Sequence, residues 1–357
     1  MSRRRVLLGM SGGIDSSLAA ILLQEQGYEV VGLTMQMWEN EEDDPRKLSK
    51  EVDTIHEARR VAEKLNIKHY TSNISERFKK DIIHNFINEY IEGRTPNPCA
   101  LCNTKIKWPV LLEIANKLGC QFISTGHYAK IGSENGVFFI QTAADKSKDQ
   151  SYFLWGLNQA QLSRIILPLG NYTKEQIKKL ASEKGFNNLV HKKESQEICF
   201  IHDNDYRRFL REKNKTIDSQ IGKGNFISTE GKILGQHMGY PFYTIGQRKG
   251  LQVALGEPMY VVHIDATRNE ITLGCREDIQ KKEMWVKDLN LVKYNPIPQG
   301  FEAKTKVRYR SEAITSYLYH ENDRIKVLFN EDVFAITPGQ SAVFYEGDDL
   351  IGGGIIE

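Results

Sequence analysis

No stretch of the 357-residue sequence stays apolar long enough to cross a bilayer, so no membrane-spanning helix is expected. An excess of one charge is also lacking. The 48 Lys and Arg face 46 Asp and Glu, a formal net charge of +2, so no global basic field advertises nucleic acid; a local patch could still do so. Cysteine is scarce: the chain has five, which argues against a disulfide framework and toward metal or catalytic use. Repeats, low-complexity tracts and long linkers are missing too. The basic opening "MSRRRVLLGM" has the outline of an export signal, but its apolar run, Val6 to Met10, gives way at once to glycines and Asp15. It reads as a first buried strand, and a cytoplasmic protein with no membrane partner is expected.

What is present is ordinary globular composition, 40% hydrophobic and 26% charged, in a chain long enough for two or three domains. Up to residue 204, short apolar runs alternate with helical patterns. "RVLLGM", "YEVVGLTMQMW", "KHYTSNI" and "CQFISTGHYA" read as strands. "DSSLAAILLQEQG", "EARRVAEKLNI" and "WPVLLEIANKLG" read as helices, the first and last closed by Gly27 and Gly119. This alternation predicts an α/β fold: a parallel sheet with helices on both faces and ligands beyond the carboxyl ends of its strands. From 205 to 280 a short basic helix, "DYRRFLREKN", precedes Gly-punctuated short runs, which suggests a small central domain. From 281 to 357 apolar and polar residues alternate between regularly spaced turn signals, the pattern of a small antiparallel barrel or sandwich.

The sharpest local signal is "LLGMSGGIDSS", between the first strand and the first helix. Ser11, Gly12 and Gly13 let the backbone turn tightly with its N–H groups facing a common anion, and the helix that follows adds the positive end of its dipole. Neither the Gly-Lys-Ser/Thr ending of a Walker A loop nor the dinucleotide pattern G-x-G-x-x-G is present. The order Ser-Gly-Gly-x-Asp-Ser resembles the PP-loop of ATP pyrophosphatases, which cleave ATP between its α and β phosphates. On that likeness Gly9, Met10, Ser11, Gly12, Gly13, Ile14, Asp15 and Ser16 are expected to hold ATP. Asp15 would be associated with Mg2+ and Ser16 would donate to phosphate. Met35 and Gly126, at two other strand ends, are candidates for the adenine pocket and for close backbone approach. The competing structural reading is a Gly-rich turn whose helix is capped by Asp or Ser and needs no ligand.

The segment "GRTPNPCALCNTKIKW" carries Cys99 and Cys102 as C-x-x-C, a spacing open to a redox pair, half a zinc site, an iron–sulfur site or a nucleophile with a neighbour. A further cysteine, Cys199 in "KESQEICFI", lies 97 residues on (199 − 102). A thiolate is the strongest nucleophile among side chains at neutral pH, and release of sulfur carried on one cysteine requires a second thiolate. Cys120 and Cys275 read as small buried hydrophobes.

Taken in order, "GMSGGIDSS", "GRTPNPCALCN", "STGHYA", "KDQSYFL", "SQEICFI", "YTIGQRKGL", "VRYR" and "TPGQSAVFY" resemble the tRNA-uridine 2-sulfurtransferase family, from residue 9 to about 345. The resemblance implies a Rossmann-like PP-loop domain, a small central domain and a C-terminal antiparallel β-barrel, expected here at 1–204, 205–280 and 281–357. It implies ATP-dependent adenylation of O2 of the anticodon wobble uridine, followed by sulfur transfer from a cysteine persulfide. On matching positions Cys199 would carry the persulfide and Cys102 would be the nucleophile that forms a disulfide with it. Asn97, Pro98 and Cys99 would touch the target base. His127, Lys148, Asp149, Gln150, Arg308, Tyr309, Arg310 and Gln340 would face the tRNA. ATP, Mg2+, tRNA and a sulfur-donor protein, a cysteine desulfurase or a relay, are the expected cofactors and partners.

The residues suit recognition of an anticodon loop, where basic and aromatic groups grip phosphates and splayed bases. Cys99 is an addition to the two-cysteine scheme. With Cys102 and Cys199 it could supply three thiolates to a [4Fe-4S] cluster, the alternative cofactor. Other readings are an amidotransferase-type synthetase, which would leave the cysteines idle, a different tRNA thiolase, and a non-catalytic RNA-binding module.

Overall fold

The computed structural model describes residues 4–38, 45–190, 198–201, 203–253 and 257–357. Residues 1–3 of the basic opening and Ser195–Glu197 of "SQEICFI" lie outside them. Strands β1 (Arg5–Gly9), β2 (Glu29–Gln36), β3 (Lys68–Asn73) and β4 (Phe122–Ser124) form the parallel sheet that the sequence predicts. A hairpin of β5 (Lys130–Glu134) and β6 (Val137–Gln141) follows, and β7 (Ile165–Ile166) completes the order β3-β2-β1-β4-β7. Alternation sends Val6 and Leu8 into one apolar cluster with the helix α1 (Ile14–Glu25), and Leu7 into another with Trp108, Leu111 and Ala115 of the helix Trp108–Leu118. Both faces are therefore covered, as a parallel sheet requires. Gly119 closes that helix in the left-handed conformation, φ 66°.

The central sheet has the order β10-β11-β8-β9, from β8 (Gly224–Ser228), β9 (Ile233–His237), β10 (Tyr260–Asp265) and β11 (Glu270–Gly274). It does not bury its core alone. Phe226, Val261, Ile271 and Leu273 share one cluster with Phe209 of the basic helix and with Phe78, Phe86, Cys102 and Phe200 of the preceding part. The last six strands are β12 (Gln280–Leu291), β13 (Phe301–Lys306), β14 (Ile314–Glu321), β15 (Arg324–Phe334), β16 (Ser341–Glu346) and β17 (Asp349–Ile356). They run in the order β12-β15-β14-β13-β16-β17 and close by pairing β12 with β17, a barrel rather than a sandwich. Asp349 of β17 pairs with Gln141 of β6, so the hairpin of the first part extends the barrel's sheet.

His237 ends β9 inside the central core, 2% exposed. Its Nδ1 accepts from the Gly239 N–H at 3.0 Å, whereas Nε2 is buried without a partner among the described residues. Burial brings its pKa down to about 4. The unfolded chain takes up this proton near pH 6.5 and the folded one only near 4, so stability is full above 6.5 and falls as pH drops through that window. Thermal melts from pH 7.5 to 4 are expected to show that slope, and His237→Phe should flatten it by roughly 1–3 kcal/mol over the window. An unchanged slope would mean that His237 is not the titrating group.

Candidate active site

Helix α1 begins directly after the glycine loop, and its N-cap is Gly13, with no side-chain cap hydrogen bond. The ligand-free alternative, a turn capped by Asp or Ser, is therefore not what forms. Ser16 turns back instead: its hydroxyl accepts from the Ser11 N–H at 3.2 Å and lies 3.4 Å from the Ser11 hydroxyl. Gly12 holds φ at 67°, the left-handed turn expected of the loop. The amino end of a twelve-residue helix, uncapped and fronted by a glycine turn, suits a phosphate.

Asp15 does not stand alone as a metal-seeking carboxylate. Lys174 Nζ donates to both its oxygens at 2.7 and 2.9 Å, and the Tyr128 hydroxyl donates to Oδ1 at 2.7 Å. The Lys174 side chain is buried, 8% exposed, at the first position of the helix Lys174–Glu183. With its charge already matched, Asp15 is a poor fit for the expected Mg2+. Sequence reasoning missed Lys174 and Tyr128. The capping box of Thr173 and Gln176 announces that a helix starts there, but nothing local links Lys174 to a loop 159 residues earlier.

Gly126 packs against the same loop. A Cβ there would lie 2.8 Å from the Asp15 carbonyl carbon and the Ser16 nitrogen, so only glycine permits the approach. Met35 is half-buried between two apolar clusters, a packing position at the end of β2. The next residue after Gly126, His127, bonds Thr125 Oγ1 through Nδ1 at 2.6 Å and lies tilted against Trp108, centroids 6.0 Å apart. Burial, then the Lys107 charge, bring its pKa down to about 3, so it is a neutral ring and not a cation for RNA phosphates.

Lys107 also faces the cysteines. Asn97 caps the helix Pro98–Cys102, accepting from the Ala100 N–H at 3.2 Å, with Pro98 at its first turn. A π-helical turn, Asn103–Lys107, follows, in which the Trp108 N–H donates to the Asn103 carbonyl five residues back. In an α-helix residues five apart point about 140° away from each other; the wider turn brings Lys107 under Cys102. Asn103 Oδ1 and Trp108 Nε1 on this turn are buried with no partner among the described residues.

Cys199 lies far from Cys102 in the chain, 97 residues on (199 − 102). Phe200, the next residue, is fixed edge-on against Phe86 at 5.2 Å and Phe78 at 5.9 Å, in the cluster that contains Cys102. Cys199 is exposed at the surface, while the crowding of protein around it, then the neighbouring Cys102, raise its thiol pKa. Burial raises Cys99 and Cys102 as well, with Lys107 opposing in all three. For Lys107 burial favours the neutral amine, and Cys102, Cys199 and Cys99 outweigh it, so its pKa is raised. Gly126 and His127 thus join the phosphate loop to the cysteines through Lys107.

All five cysteines are free. Among the described residues no group of three His, Cys, Asp or Glu is arranged to hold a metal ion. Cys120 is buried in the core, as expected, whereas the Cys275 thiol is only half-buried and donates to Asp278.

The residues expected beside RNA divide in two. Tyr309 lies on Phe153, centroids 4.5 Å apart, flanked by the charges of Lys148 and Arg310, so "KDQSYFL" and "VRYR" do meet. Arg310 is exposed, and Arg308 is half-buried, donating to the Phe334 carbonyl at 3.0 Å. Asp149, in contrast, is buried, accepting from the Ala143 N–H at 2.9 Å and the Ser151 hydroxyl at 2.7 Å. Gln150 Oε1 accepts from the Tyr128 N–H at 3.0 Å. Gln340 donates to Thr95 and Pro96. These three serve the protein's own architecture. On the basic helix Tyr206–Lys213, Arg208 pairs with Asp203 and Glu212, and Arg211 with Asp218, which makes it a solvated, self-neutralised face.

The chain matches three family profiles in succession. These are a tRNA methyl transferase HUP domain at residues 4–203, a tRNA methyl transferase PRC-barrel domain at 209–275 and an aminomethyltransferase beta-barrel domain at 281–356. It is 50% identical over 362 residues to the tRNA-specific 2-thiouridylase MnmA of Amoebophilus asiaticus, covering 100% of this chain and 96% of that one. The protein of the same name from Cytophaga hutchinsonii is 48% identical, with 100% and 98% covered. MnmA 2 of Clostridium tetani is 46% identical, with 99% of each chain covered. Matched along its whole length, the chain belongs to the tRNA-specific 2-thiouridylase family.

Proposed function

We propose that this protein is an ATP-dependent tRNA sulfurtransferase that replaces O2 of the anticodon wobble uridine with sulfur. The observation that carries this reading is the gathering of two distant cysteines, Cys102 and Cys199, around Lys107, with Gly126 and His127 leading from there to an uncapped phosphate loop. ATP phosphates occupy the amides of residues 9–16 and the amino end of α1. Lys174 holds Asp15 beside them and can exchange that carboxylate for phosphate oxygen.

Uridine O2 attacks the α-phosphorus and pyrophosphate leaves. The terminal sulfur of a Cys199 persulfide attacks C2 and AMP leaves, which links C2 to Cys199 through two sulfurs. The Cys102 thiolate then attacks the Cys199 Sγ. The S–S bond breaks toward the base, leaving 2-thiouridine and a Cys102–Cys199 disulfide. A two-electron thiol reductant and a sulfur-donor protein restore the persulfide. Asn97, Pro98 and Cys99 line the base. Lys148, Tyr309 and Arg310 form the RNA-gripping patch.

Nucleoside analysis of tRNA from cells lacking the protein is expected to show loss of 2-thiouridine derivatives, and unchanged levels reject the reading. Cys102→Ser and Cys199→Ser should each abolish sulfur incorporation while binding ATP and tRNA normally. Cys99→Ser should retain most activity, whereas its complete loss would favour the three-thiolate cluster. Lys174→Met should slow pyrophosphate release about tenfold to a hundredfold, by removing a charge that acts in a water-poor site. Wild-type pyrophosphate release by that variant would detach the Lys174–Asp15 pair from the chemistry.

A further inference from the structure

The turn 337–341 at the entrance to β16 lies against the strap that leads into the cysteine helix. Gln340 Nε2 donates to the carbonyls of Thr95 and Pro96 at 2.9 and 3.0 Å. The Thr95 N–H donates back to the Pro338 carbonyl at 2.9 Å. Gly339 makes the contact possible: its φ is 89°, and a Cβ would lie 2.9 Å from the Thr95 oxygen. The strap is short. Pro96 has no N–H, and Asn97 and Pro98 already belong to the start of the helix that carries Cys99 and Cys102.

A second set of bonds ties the same barrel edge to the other flank of that helix. The Ser341 carbonyl accepts from the Tyr152 hydroxyl at 2.9 Å, and its Oγ from Trp155 Nε1 at 3.0 Å. Tyr152 and Trp155 share a core cluster with Ala100 of the cysteine helix.

We propose that Gln340 is a positioning residue for sulfur transfer, a clasp by which the C-terminal barrel anchors the start of the Pro98–Cys102 helix and fixes where Cys102 meets Cys199. The proposal rests on the sulfurtransferase reading. Both amide hydrogens of Gln340 are committed inside the protein, which sets this role apart from the RNA contact that its sequence position implies. Loss of the clasp frees two carbonyls and the strap, so the cysteine helix shifts or frays while the RNA-facing groups stay in place. A shift of about 1 Å at reacting atoms can cost about a hundredfold in rate.

The test compares the full-length wild type with Gln340→Met, of similar size but without donors, and with Gln340→Ala. Three readouts are needed: tRNA dissociation constant, single-turnover sulfur transfer from persulfide-loaded enzyme at saturating tRNA, and iodoacetamide alkylation of Cys102 without tRNA. Expected are a dissociation constant within about twofold of wild type, transfer slowed about tenfold or more, and Cys102, 4% exposed in the wild type, alkylated several-fold faster. A dissociation constant raised about tenfold, with saturated rate and alkylation unchanged, would make Gln340 an RNA contact and overturn the proposal. Variants indistinguishable from wild type in all three readouts would overturn it too. If the wild type itself transfers no sulfur, the sulfurtransferase reading falls, and the alkylation rates still decide whether the clasp holds the helix.

Discussion

The site depends on the burial of one ring. Phe200 is 2% exposed and packs against Phe78, Phe86 and Phe209, all of them also buried. A fully buried Phe contributes about 1.5–3 kcal/mol, and each well-oriented aromatic pair about 0.5–1.5 kcal/mol more. That is enough to hold the adjoining Cys199 against the fluctuations of a surface segment. The same cluster holds Cys102 and reaches Phe226, Val261 and Ile271 of the central sheet. One apolar core therefore brings together two cysteines 97 residues apart (199 − 102) and docks the central sheet, whose contribution is structural as well as any grip on RNA.

That core sets the thiols' chemistry. Desolvation beside that core, then the neighbouring Cys102, raise the Cys199 thiol pKa, which favours the neutral thiol at rest. Lys107 is the counterweight. Its cation opposes the rise at all three cysteines, and it stands at the end of the π-turn that follows Cys102.

Much of this was legible in the sequence where local chemistry decides. Strand patterns alternating with helical ones gave the parallel sheet, glycine placement the loop at residues 9–16, and period-two alternation a barrel or sandwich, because turns and pleats are short-range. Resemblance of "NPCALCN" and "SQEICFI" to a family paired Cys102 with Cys199. What escaped were partnerships across the chain. Lys174 meets Asp15, Lys107 serves the thiols, and Asp149 and Gln150 bond inward, and no spacing rule connects them. The π-turn escaped for another reason: "NTKIKW" carries no residue that an α-helix would refuse. The basic run in "DYRRFLREK" is the solvated face that such a run on its own most often is, since Asp203, Glu212 and Asp218 pair with Arg208 and Arg211.

The three parts of the chain are bound to one another at the points where chemistry needs precision. The central sheet shares the core that seats Cys199. The barrel joins its sheet to the β5–β6 hairpin through Asp349 and Gln141, and its turn at Gln340 meets the strap before Cys99. Such joints make relative motion of the parts costly, since each would expose apolar surface or leave buried polar groups unpaired. Rigidity has a chemical reason. An adenylated base is a high-energy species that water can attack, and a disulfide exchange tolerates little misalignment. Holding the phosphate loop and both cysteines in one frame keeps the two steps of such a reaction close together.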